Sequence, residues 1–437
     1  MKSIFVNSAC LCAALTLCAQ LLASEPADDP RTNPAGDLEP GLLPVEVLVD
    51  WVVEANPGVA ALAAAAEAAR HRIDAAGSLD DPMLSYGVAP RTLDSGRVNQ
   101  RFEFSQRIPW PGTLDARETV ARFAAAAAAG DREARELEVI AQARSAHAQW
   151  WLAGEALAIH HAAEELVEEL IATASARYAA GLGLKQDLLQ AQVERANLDN
   201  EEFRLLQLRT AARSRINALL NRPPDTPLPP ASPPAPVREP PAFEALRGSA
   251  LERHPELARI EARLAANQTR ITLAEKAFYP DFQLGVGYNG LWDDTDKRPT
   301  IGVAINVPLD RSKRRSELAA ARADADGSQW ALVERRAELL DALARARAAA
   351  VEAWQSVRVH ERDLLPLADE YLRSALADYQ SGAGAFFNVI DAEQRKLATE
   401  LALARARAES AVRMAELRRA AAIPRDGLLT DMSGAQP

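Results

Sequence analysis

The chain has 437 residues, a net charge of −11 and only 5% aromatic residues, with alanine, glutamate and arginine plentiful. That acidic balance leaves no basic face for nucleic acid, and the composition favours long helices over a thick globular core. No phosphate-binding loop, nucleophile motif or zinc spacing occurs, so no catalytic, cofactor or metal site is expected.

Residues 1–23 read as a secretory signal. Lys2 gives a weakly positive start, Cys10 to Leu22 is apolar apart from Thr16 and Gln20, and the small Ala23 and Ser24 precede Glu25-Pro26-Ala27-Asp28. The apolar run is shorter than the roughly 20 residues of a membrane-spanning helix. Cys10, Cys12 and Cys18 are the only cysteines, so the mature chain would hold neither a disulfide nor a thiolate metal site. Acylation at Cys18 would want a small residue before it, and Leu17 stands there. Residues 24–44 and 424–437 are expected to form a flexible N-terminal segment and a C-terminal tail.

Between these ends the chain repeats itself. Asn56-Pro57 and His254-Pro255 each open a helical stretch, Pro82 and Pro280 each open a strand, and Ile108-Pro109 and Val307-Pro308 each close one. Arg-Tyr-Ala-Ala-Gly ending at Gly181 has its echo in Asp-Tyr-Gln-Ser-Gly ending at Gly382. Residues 45–221 and 242–423 therefore read as two copies of helix, strand, strand, long helix, turn, helix. They are joined by residues 222–241, ten of them proline, which must be extended and stiff.

Four strands alternate: Leu84, Tyr86 and Val88; Val98, Phe102, Phe104 and Ile108; Phe282, Leu284, Val286 and Tyr288; Ile301, Val303, Ile305 and Val307. Their intervening residues are polar or small, Ser105 among them. The strands approach bilayer-crossing length when tilted, although a half-buried sheet in a soluble domain gives the same alternation. Thr113 to Tyr178 contains no proline and predicts a rod of about 100 Å. Ser312 to Gln380 repeats it, with Pro366 expected to bend or break it. Leu339, Leu343, Ala346, Ala350, Ala353, Val357 and Leu364 keep a seven-residue period, as in helices packed along their length.

With these features in place, residues 45–423 resemble the TolC-type outer-membrane efflux family. The resemblance rests on the duplication and on two hairpin tips, Arg177-Tyr178-Ala179-Ala180-Gly181 through Asp187-Leu188-Leu189 and Tyr379-Gln380-Ser381-Gly382 through Asn388-Val389-Ile390-Asp391. It implies a mostly α, internally duplicated chain. Four transmembrane strands and long coiled-coil periplasmic helices would give a homotrimeric twelve-stranded barrel with an α-helical tunnel. It also implies partnership with outer-membrane lipid, a periplasmic adaptor and an inner-membrane pump of the resistance-nodulation-division type. Barrel closure agrees: two chains would give eight strands and a filled interior, three would leave a lumen. Residues 81–87 and 106–112 look like the branch that works with heavy-metal cation exporters. Trp110 and Tyr279, at strand–helix junctions, suit an interfacial aromatic belt or ordinary core packing.

Carried over residue by residue, the resemblance places a periplasmic aperture at Asp187, Tyr379, Asn388 and Asp391. Asp187 would accept a closing hydrogen bond from Tyr379. Asp391 would supply an acidic ring that attracts cations and, with like charges crowded, resists full ionisation. Asn388 stands where a second acidic ring is expected, and Gly384 where the family has a basic residue. Gly181, Gly183, Gly382 and Gly384 mark the tips. Asp187 and Asp391 could equally be first-turn carboxylates favoured by the helix dipole. His160 and His161, adjacent on a helix, diverge by about 100° and cannot share an ion. His360 falls on the heptad seam, and Asp293-Asp294-Thr295-Asp296 reads as a solvated loop. A periplasmic coiled-coil adaptor that never enters the membrane would also carry a long hairpin. It would not carry two hairpins each preceded by two strands.

Overall fold

In the computed structural model, which describes residues 41–89, 99–290, 295–423 and 425, each half opens with a helix pair broken at a proline. The first pair is α1 (Val45–Ala55) and α2 (Pro57–Gly77), the axes 51° apart. Proline has no amide hydrogen and suits the first helical position; the residue before it is held extended, with ψ 117° at Asn56. Asn56 Oδ1 then accepts from the amides of Gly58 and Val59, capping α2. No single helix among the described residues is long and apolar enough to cross a membrane.

β1 (Met83–Ala89) and β2 (Asn99–Ile108) follow α2. After α3 (Thr113–Ala179) and α4 (Lys185–Leu219), the second half repeats the order with α5 (Phe243–Arg253), α6 (Pro255–Lys276), β3 (Asp281–Asn289) and β4 (Pro299–Asn306). The strands form one antiparallel sheet in the order β1-β2-β3-β4. Its register aligns the apolar alternation across strands: Tyr86, Phe102 and Tyr288 form one row, and Leu84, Phe104, Val286 and Ile301 the next. Leu284 lies beside Val303, and Ile108, Phe282 and Ile305 share the last row. On the other face Arg101 pairs with Glu103, and Gln283 donates to Ser105. Val307 lies past the end of β4. Val98 and Asp293-Asp294 fall outside the described residues, and Thr295 and Asp296 form a 3-10 turn with Lys297.

Trp110 stacks on Tyr279 at 4.7 Å, with Phe282 beyond it, so the two junction aromatics seat the sheet on the helices. Asp281 reinforces the joint by accepting from Arg107 and from the Trp110 amide.

The helix α3 runs 67 residues, about 100 Å, and α4 returns along it. The second rod is α7 (Arg311–Val359), a π turn (His360–Leu364) and α8 (Leu365–Ser381), with α9 (Phe386–Ala420) returning. Leu339, Leu343, Ala350, Ala353 and Val357 are buried as the seven-residue period requires, and Ala346 is half-buried. The last position of the expected seam departs from it: Leu364 is 43% exposed. His360 is half-buried, its Nδ1 2.8 Å from the Ser356 carbonyl oxygen. The π turn adds a residue and rotates α8 relative to α7, and Pro366 lacks the amide to restore the ladder.

Equivalent cores form in the two halves. Leu48, Val49 and Val52 of α1 pack with Val139, Trp150 and Ile216; Leu246 and Ala250 of α5 pack with Leu339, Leu343 and Leu417. The connector has carbonyls but few amides, so its hydrogen bonds come from outside. Trp150 Nε1 donates to Pro229, Asn217 Nδ2 to Pro224 and Thr226, and the Leu43 amide to Pro230.

Candidate functional site at the hairpin tips

Each hairpin turns in the same way. Gly181 and Gly382 adopt φ of +71° and +79°, a left-handed conformation in which a side chain is strained. Two residues on, a Cβ on Gly183 would sit 3.1 Å from Arg177 Cβ, and one on Gly384 would sit 2.8 Å from Asp378 Cβ. Gly183 and Gly384 thus occupy equivalent, closely packed positions in the two turns. Asp187 and Asn388 are the third residues of α4 and α9.

One apolar cluster joins the two tips. Leu170 and Ala174 of α3, Ala191 of α4, Leu372, Ala375 and Tyr379 of α8, and Phe386, Val389 and Ile390 of α9 are buried together. Tyr379 is only 4% exposed, whereas Tyr178, its counterpart in the first repeat, is 46% exposed. The Arg177 guanidinium lies over the Tyr379 ring at 4.7 Å and donates to its carbonyl oxygen, and Phe386 meets the ring edge-on.

Within the chain the Tyr379–Asp187 hydrogen bond is not made: Tyr379 Oη is buried without a partner among the described residues. Burial and then the nearby Asp187 push its phenol pKa up, opposed by Arg177. The cation–π seat under Arg177 holds the ring in place of a bond through its hydroxyl.

Asp391 is paired within its own subunit. Its carboxylate accepts from Tyr371 Oη at 2.9 Å and from Arg395 Nε at 2.8 Å. Arg395, followed by Tyr371, holds it below the usual carboxylate range, so within one subunit it is readily ionised and its charge is balanced. Sequence reasoning missed Arg177, Tyr371 and Arg395. Arg395 stands one helical turn from Asp391, and Arg177 next to Tyr178 of the tip, but the target of Arg177 lies 202 residues away.

His160 is fully buried and His161 exposed, as their divergence on α3 requires. No group of three or more histidines and carboxylates suited to a metal occurs among the described residues.

The family model for outer membrane efflux proteins matches residues 48–222 and 246–422. No curated protein matches the chain in sequence. Among solved structures, the chain is similar to the outer membrane protein VceC of Vibrio cholerae, at 19% identity and a TM-score of 0.71, over 86% of this chain and 95% of that one. It is similar to the open state of the MtrE outer membrane channel of Neisseria gonorrhoeae, at 20% identity and 0.71, over 86% and 88%. CusC gives 18% identity and 0.73, over 86% and 91%.

Proposed function

The chain belongs to the outer membrane efflux protein family and is an outer-membrane efflux channel subunit; from that premise we propose that three copies close their sheets into one twelve-stranded barrel. The barrel would pass heavy-metal cations delivered by an inner-membrane pump of the resistance-nodulation-division type through a periplasmic adaptor. The observation that supports closure is the uncovered apolar face of the sheet. Leu84, Phe104, Val286 and Ile301 line up across four strands, each between 46% and 88% exposed. Such a row in water would be a liability, and against lipid it is the required surface. Among the described residues the sheet also has two unpaired edges, β1 and β4, which a ring of copies removes.

The cargo reading rests on the junction segments 81–87 and 106–112. The aperture reading rests on Asp187, Tyr379, Asn388 and Asp391 lying at or beside the tips. The energy comes from the pump; the duct itself is passive. Native mass spectrometry in mild detergent should give a trimer, and deletion of the gene should sensitise the cell to a heavy-metal cation. A lipid-inserted monomer would refute the barrel, and unchanged metal tolerance the cargo.

A further inference from the structure

Two glutamates interrupt the apolar seams of α4 and α9 at the level where the hairpins pack together. The buried residues of α4 include Ala191, Glu194, Leu198 and Leu205, and those of α9 include Phe386, Val389, Ile390, Ala392, Glu393 and Leu401. Glu194 is 6% exposed and Glu393 2%. Gln394 of α9 and Asn197 of α4 both donate to Glu194 Oε2, so this carboxylate bridges the two hairpins. Both carboxylate oxygens of Glu393 are buried without a hydrogen-bond partner among the described residues. An ionised carboxylate is not stable in such a place, because burial without compensation costs several kcal/mol.

The groups around Glu393 offer no sufficient counter-charge. From α4 it meets Glu194, a like charge. From its own helix come Glu400, another like charge, and Lys396, whose ammonium is already paired with Asp369 of α8 and Glu400. The α3 side chains in the neighbouring clusters, Leu166, Leu170 and Ile171, are apolar.

We propose that Glu393, facing Glu194 across the α4–α9 contact, is a proton-binding site whose occupancy sets how tightly the two hairpins pack beside the tips. With the proton bound, Glu393 is neutral and the seam stays dry. With the proton lost, two carboxylates share a buried interface and α4 must part from α9 far enough to admit water. Burial first, then Glu194 and Glu400, push the Glu393 carboxyl up to about 7, so the change falls near neutral pH. Acidification therefore tightens the tips and neutral or alkaline conditions loosen them. The functional consequence, an aperture that narrows when the periplasm turns acid, rests on the proposed channel.

Amide exchange by mass spectrometry on the detergent-solubilised protein tests the site. Peptides from 188–200 and 388–400, corrected for the intrinsic pH dependence of exchange, should lose about tenfold or more in protection between about pH 5.5 and pH 8. Glu393→Gln should keep the acid-state protection at both pH values. Glu194→Gln, which removes the like charge and leaves Glu393, should move the midpoint down; it supplies the test if Glu393→Gln does not assemble. Wild-type protection that is flat with pH, or a Glu194→Gln midpoint unchanged from wild type, would overturn the proposal. The exchange measurement needs no conductance, so it fails only if the proton site is wrong. The absence of trimers and of channels in planar bilayers would instead overturn the channel reading.

Discussion

His254 and Asn56 stand at the same place in the two repeats, yet only one of them can be switched by acid. His254 Nδ1 accepts from the Glu256 amide and caps α6, which only a neutral imidazole can do. Burial, then Arg335 and Arg419, push its pKa down to about 4. The folded chain therefore binds fewer protons than the unfolded one below the ordinary value of 6.5. Stability is full above that pH and falls as pH drops towards about 4, by at most about 3 kcal/mol. His254→Asn keeps a capping acceptor and loses the titration. Its thermal midpoint should change less than wild type between about pH 7 and pH 5; an equal change would mean that other groups govern the acid limb. Asp391 makes a second residue-scale test. Because Arg395 balances its charge, Asp391→Asn should leave an unpaired cation at each tip. Reversal potentials in a salt gradient should then show weaker cation selectivity, while Tyr371→Phe should leave selectivity close to wild type.

The hairpin tips show what a helical element takes from its turn. A side chain at Gly384 would press on Asp378 Cβ at 2.8 Å, and at Gly183 on Arg177 Cβ at 3.1 Å. Both neighbours are fixed to helix backbone, so the shorter contact forces the turn to move. Gly384→Ala should cost about 1–3 kcal/mol of local stability and Gly183→Ala less. Gly382→Ala should cost about 1–2 kcal/mol through its left-handed φ. Exchange of the 176–188 amides for Gly183→Ala and of the 378–390 amides for the other two should rank the variants, and equal exchange in all three would show that the tips yield freely. These glycines, like the strands, were legible because their signals are local: a period of two, or a glycine after a rod. The break at Pro366 was legible for the same reason. The loss of Leu364 from the seam was not, because a heptad count runs straight through the residue that the π turn inserts. The seat of Tyr379 was hidden for another reason. Tyr178 and Tyr379 are equivalent in sequence, and only the packing of one repeat on the other buries one ring and leaves its twin exposed.

At the scale of the whole molecule, the chain leaves its sheet unfinished. Among the described residues the four strands have two edges, and one apolar face has no cover. Closure by three copies turns that face to lipid and the face bearing Arg101, Glu103 and Gln283 to a lumen. A pair of arginine substitutions separates the two faces. Phe104 stands in the row with Leu84, Val286 and Ile301, midway along the sheet. On the lipid side near the bilayer centre, Phe104→Arg should cost about 2–4 kcal/mol per copy, repeated in each subunit of the barrel. The control must be an open position on the other face. Ser105 does not qualify, because it is 7% exposed and accepts from Gln283, so an arginine there would disturb packing whichever way the face points. Ala304 lies opposite Gln283 in the register and is exposed. Ala304→Arg should assemble as wild type and change single-channel conductance by placing three new cations in the lumen. Phe104→Arg should instead deplete heat-modifiable trimers from the outer-membrane fraction. Normal assembly of Phe104→Arg together with failure of Ala304→Arg would reverse the faces, putting the aromatic row inside and the charged row against lipid, and no closed barrel could then be built from this sheet.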